Sequence, residues 1–305
     1  MKIYHSLEEF EKIENAVVTT GTFDGVHIGH YKILDRLKEI ATSIKGETVL
    51  LTFFPHPRMV LFSDNDLKLI TTKNEKIALL EEAGIDHLII HPFSREFSRL
   101  SSVEFVRDIL VNKIGTSRLV IGYNHHFGRN REGSFEHLKE YGPVYGFQVE
   151  EICAQDIDAI SVSSTKIRKA LESGDISTAK DYLTHNFHLS GIVVKGNNLG
   201  HKLGFPTANL KIVDSHKLIP ANGVYLVTVS VRNQDYKGML NIGLRPTIDG
   251  EEKTIEVHIL DFDTNIYGEE ITLTFESWIR EERKFESLDA LKAQLELDKR
   301  FILAN

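Results

Sequence analysis

The sequence predicts an α/β protein in two parts: a parallel sheet with helices on both faces, then an antiparallel sheet or small barrel that ends in a helix. Three observations predict it. Apolar strand-like runs alternate with helical patterns over the first half of the chain, the alternation stops near residue 187, and 305 residues at 41% hydrophobic content are enough for about two buried cores.

Each element follows from its own pattern. "NAVVTTGTF" (15–23) and "ETVLLTFF" (47–54) read as buried strands; between them Ile33, Leu34, Leu37, Ile40, Ala41 and Ile44 recur at helical spacing, which makes one βαβ unit. A helix near 74–83, the strand "HLIIHPF", a helix near 102–113 and the strands "RLVIGY" and "FQVEEI" continue the series, and a further helix starts near Ser164. Ligands of such sheets bind beyond the carboxyl ends of the strands. From about 187, "LSGIVVKG", "NGVYLVTVSV", "YKGMLNIG", "TIEVHILDF" and "EITLTFESWI" follow one another with turn residues between them, and "SLDALKAQLELDKRFIL" closes the chain as a helix. The boundary falls near 184–187, giving domains 1–185 and 186–305, with no Pro/Gly/Ser-rich linker, repeat or low-complexity tract.

Composition narrows the function classes. A net charge of −8 supplies no global basic field for nucleic acid or an anionic membrane. The single cysteine, Cys153, has no partner for a disulfide or a zinc ribbon, which fits a reducing cytoplasm. The opening "MKIYHSLEEF" has no apolar signal core, and no run approaches the roughly 18 apolar residues needed to span a bilayer. The expectation is a soluble cytoplasmic protein acting on small molecules, with no obligate protein partner.

The chemistry concentrates in a few strings. In "GTFDGVHIGH" (21–30), His27 and His30 stand between a strand and a helix, where backbone N–H groups and the helix dipole favour an anion. Gly21, Gly25 and Gly29 allow close backbone approach, and two imidazoles can donate hydrogen bonds to a phosphate. "SVSSTKIRKAL" (161–171) offers Ser163, Ser164, Thr165 and Arg168 at another helix start, with Arg168 as a bidentate fork; an ordinary N-cap is the alternative. "GNNLGHKLGFPTANL" (196–210) has Gly196, Gly200 and Gly204, which on spacing alone denote turns. Glu256 alternates with Ile255 and Val257 as an outward strand residue would.

The string "GTFDGVHIGH" resembles the signature of the HxGH nucleotidyltransferases, and "FDGVHIGH" resembles their flavin-adenylating branch. "TFFPHPR" (52–58) and "SVSSTKIRKAL" resemble two further motifs of that branch in the same order. "GYNHHFGRNREG" (122–133) resembles a middle motif, except that the family commonly has an aromatic after position 124, where this chain has His125 and His126, read as paired surface histidines. "GFPTANL" resembles the magnesium and ATP site of riboflavin kinases, and "NGVY", "NIGLRPT", "YGEEITL" and "WIREERKFESLDAL" resemble later segments of that module. In this order the chain is similar to the bacterial bifunctional riboflavin kinase/FAD synthetase family.

The resemblance implies a Rossmann-like domain followed by a small Greek-key β-barrel. It implies that the barrel converts riboflavin and ATP, with Mg2+, to FMN and ADP, and that the first domain converts FMN and a second ATP to FAD and pyrophosphate. His27 and His30 would stabilise the α-phosphate transition state. Gly21, Phe23, Asp24, Gly25, His56, Arg58, Asn124, Ser163, Ser164, Thr165 and Arg168 would hold nucleotide or phosphates. In the barrel, Gly196, Gly200 and Gly204 would lie along the nucleotide, Thr207 and Asn209 would bind the metal, and Glu256 would be the base. Tyr225 and Trp278 read as core or rim. Three alternatives have discriminators. A class I aminoacyl-tRNA synthetase also carries "HIGH" but would need a lysine-rich partner motif and a basic RNA-binding region. A flavin-binding regulatory protein would shift flavin fluorescence without releasing ADP or pyrophosphate. Loss of the adenylating activity alone is the third, raised by the departure at 125–126.

Overall fold

The alternating runs of the first half form one parallel sheet of six strands: β1 (Lys2–Tyr4), β2 (Ala16–Thr20), β3 (Thr48–Phe54), β4 (His87–Pro92), β5 (Thr116–Gly122) and β6 (Gln148–Ile152), in the order β1-β4-β3-β2-β5-β6. The computed structural model describes residues 1–62, 66–123, 125–152, 162–196, 200, 203–247 and 250–305. β2, β3 and β4 are apolar throughout their middles because both faces are covered, as parallel sheets require. Helix α1 (Ile28–Ile44) returns from β2 to β3 and buries Ile33, Leu34, Leu37, Ile40 and Ala41. From β2 the chain moves outward through β3 and β4 and then crosses back to β5 and β6. The strand order therefore reverses between β2 and β5, and the turn leaving β2 lies at this switch point.

The second half closes into a barrel of β7 (His188–Val194), β8 (Ala208–Lys211), β9 (Gly223–Val231), β10 (Gln234–Thr247), β11 (Gly250–Ile259) and β12 (Glu270–Arg280), ordered β10-β11-β8-β7-β12-β9. β12 returns beside β9, so β12-β9-β10-β11 is a Greek key. Irregular registers at Phe275/Ser277 and Trp278/Arg280 bend β12, which serves closure. Val227, Val229, Leu240, Val257, Leu273 and Phe275 fill the interior. Tyr225 and Trp278 are part of this packing: their rings meet edge to face at 5.0 Å, and the Tyr225 hydroxyl donates to the Ala221 carbonyl. The C-terminal helix (Leu288–Ala304) buries Ile302 and is anchored by Asp298, which receives Arg280 Nε at 3.0 Å and Nη2 at 2.7 Å.

The compact units are Met1–Ser164 and Thr165–Asn305. They divide earlier than the start of the strand series because helices Ser164–Glu172 and Ile176–Leu183 pack with the barrel: Ala221 N donates to Leu171 O, and a side chain at Gly174 would collide with the Trp278 ring. Among the described residues, the elements the sequence pattern does not announce include β1, β8, and helices Pro57–Leu61, Phe135–Tyr145 and Ile176–Leu183. Asn124 and Cys153 lie outside the described residues.

Candidate active sites

The first site is the turn from β2 into α1. His27 is the N-cap, and the approach to it is strained: Phe23 has φ 47° and the β-branched Val26 has φ 37°, next to Gly25 at 85°. A set of hydrogen bonds holds this backbone. The buried Asp24 carboxylate accepts hydrogen bonds from Ile70 N (3.1 Å), Thr71 N (3.1 Å) and Thr71 Oγ1 (3.3 Å), while Gly25 N donates to Thr71 Oγ1 at 3.1 Å. Lys76 Nζ donates to Thr22 O at 3.0 Å, and Ser164 Oγ donates to Asp24 O at 3.0 Å. The Ser164 bond joins two motifs 140 residues apart at one point.

The histidines are coupled. His27 N donates to His30 Nδ1 at 3.3 Å, and the two rings stack with centroids 3.7 Å apart, with Phe23 4.7 Å from His30 on its other contact. A Cβ at Gly29 would stand 3.1 Å from Val162 and 3.3 Å from the His27 ring, so glycine lets the stack close without pushing either side chain aside. Burial, reinforced by the charges of His27 and Lys76, holds the His30 imidazole well below the usual histidine range. It is neutral near pH 7, and because Nδ1 accepts a hydrogen bond the proton resides on Nε2, leaving an uncharged N–H donor.

Around this turn the other named residues take different positions. Phe23 is buried, and a Cβ at Gly21 would stand 3.0 Å from its ring. His56 caps the Pro57–Leu61 helix by accepting Arg58 N at 3.1 Å, and lines one cleft with Asp24, Thr71, Lys73 and Lys76, whereas the exposed Arg58 is not among the cleft's lining residues. Ser163 precedes the helix that Ser164 opens; Thr165 is exposed and Arg168 buried one turn later. His126 is exposed, but His125 is not a surface histidine: it is half-buried, stacks near Phe127, and burial pulls it down to about 4. Thr71 and Lys76 were not marked by any motif. Lys76 shares a phase with Leu79 and Leu80 on its helix (Lys73–Glu82), a core position filled by a lysine, and that was the available signal. Burial pulls its ammonium down to about 8 against the opposing influence of Asp24.

The second site is on the barrel wall. β8 pairs with β11 so that Asn209 faces Glu256, and β10 places Asn241 on its other side. Thr207 Oγ1 donates to Glu256 Oε2 at 3.4 Å. Glu256 is half-buried and tied into this group, where strand alternation alone pointed to a solvated residue. His258 Nδ1 donates to the Pro206 carbonyl at 2.8 Å, fixing the segment that enters β8. Gly196 lies against Asn209: a Cβ there would be 2.5 Å from Asn209 Cγ and 2.7 Å from Oδ1. Gly200 O accepts Phe205 N at 2.9 Å, and a Cβ at Gly200 would collide with the Phe205 carbonyl oxygen. Gly204, at φ 83°, turns the chain with open space around it. The hydroxyl of Thr207 and the amide oxygen of Asn209 are hard neutral donors beside a carboxylate, a set that fits a magnesium ion keeping most of its waters.

Residues 9–166 match the family model of FAD synthetase, and residues 183–304 match that of riboflavin kinase. The chain belongs to the bifunctional riboflavin kinase/FMN adenylyltransferase family. It is 38% identical over 304 residues to the bifunctional riboflavin kinase/FMN adenylyltransferase of Buchnera aphidicola subsp. Schizaphis graminum, covering 98% of this chain and 96% of that one. It is 37% identical over 289 residues to the Pseudomonas fluorescens protein of the same name, covering 92% and 90%. A crystal structure described as a macrolide-efflux protein from Streptococcus pneumoniae superposes with a TM-score of 0.90 at 30% identity, covering 98% of this chain and 97% of that one. Efflux is named for that protein alone; among the described residues of this one, no helix is long and apolar enough to cross a membrane.

Proposed function

We propose that the chain makes FAD from riboflavin in two reactions, one in each half. The barrel transfers the γ-phosphoryl group of ATP to riboflavin, giving FMN and ADP. The parallel-sheet domain joins FMN to the AMP part of a second ATP, giving FAD and pyrophosphate. The adenylyltransferase occupies 1–185 and the kinase 186–305, in a cytoplasmic enzyme whose partners are its small-molecule substrates. No nucleic acid, membrane or protein partner is needed for either step.

In the adenylyltransferase, both nucleophile and leaving group are phosphate oxygens, so the work is orientation and charge stabilisation. His30 donates Nε2–H to the α-phosphate as a neutral imidazole, and His27 stacks behind it. The N–H groups at the start of α1, opened by Gly21 and Gly25, receive the phosphate oxygens. Asn124, Ser163, Thr165 and Arg168 hold the nucleotide, with His56 and Arg58 at its edge. Asp24 and Phe23 serve this site from behind, since the Asp24 carboxylate is already occupied by three donors and Phe23 is buried on His30.

In the kinase, Glu256 accepts the proton of the ribityl hydroxyl as it attacks the γ-phosphate. Thr207 and Asn209 would hold Mg2+, which when bound neutralises charge on the ATP phosphates. Gly196 and Gly200 keep the surface beside Asn209 and Thr207 low enough for the triphosphate, with Gly204 turning the chain ahead of Thr207. The observation that carries the reading is the convergence of Thr207, Asn209 and Glu256 across β8 and β11, in a chain that matches both family models in order. Two variants test it. His30→Ala should stop FAD formation while FMN accumulates, and Glu256→Ala should suppress FMN formation while supplied FMN is still adenylated. Loss of both activities in either folded variant would refute the two-site assignment.

A further inference from the structure

Lys76 is a lysine where its helix should present an apolar residue, and burying an ammonium costs several kcal/mol unless something repays it. Two contacts do so. Its Nζ donates to the Thr22 carbonyl at 3.0 Å, one residue before the strained Phe23, and the buried Asp24 carboxylate attracts it. The same charge extends to His30. The titratable groups near it among the described residues are Asp24 from the turn, His30 from the start of α1, and His56 and Lys73, which line the same cleft.

The electrostatics of the turn make this residue consequential. An anion-binding turn that contains a buried carboxylate would repel a triphosphate, yet Asp24 is needed to pin the strained backbone to Ile70 and Thr71. A cation behind the turn removes the repulsion without occupying the phosphate site. We propose that Lys76 is a positioning residue of the adenylyltransferase site, holding the strained turn through Thr22 O and offsetting Asp24 so that the turn accepts an anion. This rests on the reading of that site as the place where ATP and FMN react.

Three full-length proteins, wild type, Lys76→Met and Lys76→Arg, are assayed from about pH 6 to about pH 10 for FMN adenylylation and, separately, for riboflavin phosphorylation. In the wild type, kcat/KM for ATP in adenylylation falls as pH rises through about 8, where Lys76 loses its charge. Lys76→Arg stays charged and lacks that fall while keeping most of the activity. Lys76→Met lowers kcat/KM by roughly 100-fold at neutral pH, the loss typical of a misplaced reacting group, and riboflavin phosphorylation is unchanged. The inference is overturned if Lys76→Met adenylylates within about threefold of wild type, a difference too small for a positioning group, or if the alkaline fall persists in Lys76→Arg. Should Lys76→Met lose the fold of its own unit, seen as loss of the N-terminal transition in thermal unfolding, the Lys76→Arg profile decides alone. A wild type that phosphorylates riboflavin but never adenylates FMN overturns the reading of the site itself.

Discussion

Replacing Gly196 with alanine should disable the kinase without unfolding the barrel. The added Cβ would stand 2.5 Å from Asn209 Cγ and 2.7 Å from its Oδ1, where ordinary contacts begin near 3.4 Å. The backbone is fixed by the β7–β8 ladder, so the Asn209 amide is what yields, by about 1 Å. A shift of that size in a positioned ligand costs on the order of 100-fold in rate, or about 3 kcal/mol of transition-state stabilisation. Stability should change by less than about 1 kcal/mol, because only the end of a flexible side chain moves and Gly→Ala restricts the unfolded chain. The assay is the initial rate of FMN formation from riboflavin at varied ATP and magnesium, with thermal unfolding of the barrel as the control for folding and adenylylation of supplied FMN as the control for the other site. In an Asn209→Ala background the same substitution should add nothing further, since both act through one amide. The reasoning is refuted if Gly196→Ala phosphorylates riboflavin at close to the wild-type rate, or if the two substitutions prove additive.

Other outcomes follow from the same geometry. Thr207→Val keeps the shape but removes a hard donor, so half-maximal FMN formation should need roughly tenfold more Mg2+, read by magnesium titration, with adenylylation of supplied FMN unaffected. Asp298→Ala strands Arg280 beneath the C-terminal helix and should destabilise the barrel by about 3 kcal/mol in denaturant unfolding. His125, held near 4 in the fold, is protonated more readily in the unfolded chain, so stability should fall as pH drops from about 6.5 towards 4; His125→Phe should show a shallower decline in thermal midpoint over that range.

Much of the fold was legible because its signals are local. Ile33, Leu34, Leu37, Ile40 and Ala41 occupy the buried face of α1 as their spacing requires, and the five long barrel strands stand where the apolar runs are. The unread elements are those whose stability comes from neighbours. β8 is four residues, "ANLK", with little apolar content, and it exists because β7 and β11 pair with it on either side. The helix Phe135–Tyr145 carries Pro143 and Gly142, which argue against a helix until the close approach of Gly142 to the Phe147 carbonyl is seen. The histidine pair and the Pro-Thr-Ala-Asn string were visible as strings. What holds them was not: Thr71 and Lys76 reach the turn only through tertiary packing, and the Glu256–Asn209 pairing depends on barrel register.

The most direct test of the account is a chromatographic time course of the purified full-length protein with riboflavin, excess ATP and Mg2+, resolving riboflavin, FMN and FAD while ADP and pyrophosphate are measured. The account predicts that FMN and ADP rise first and that FAD and pyrophosphate follow from the same protein. Flavin bound without release of ADP or pyrophosphate, in folded and metal-replete protein, would contradict it.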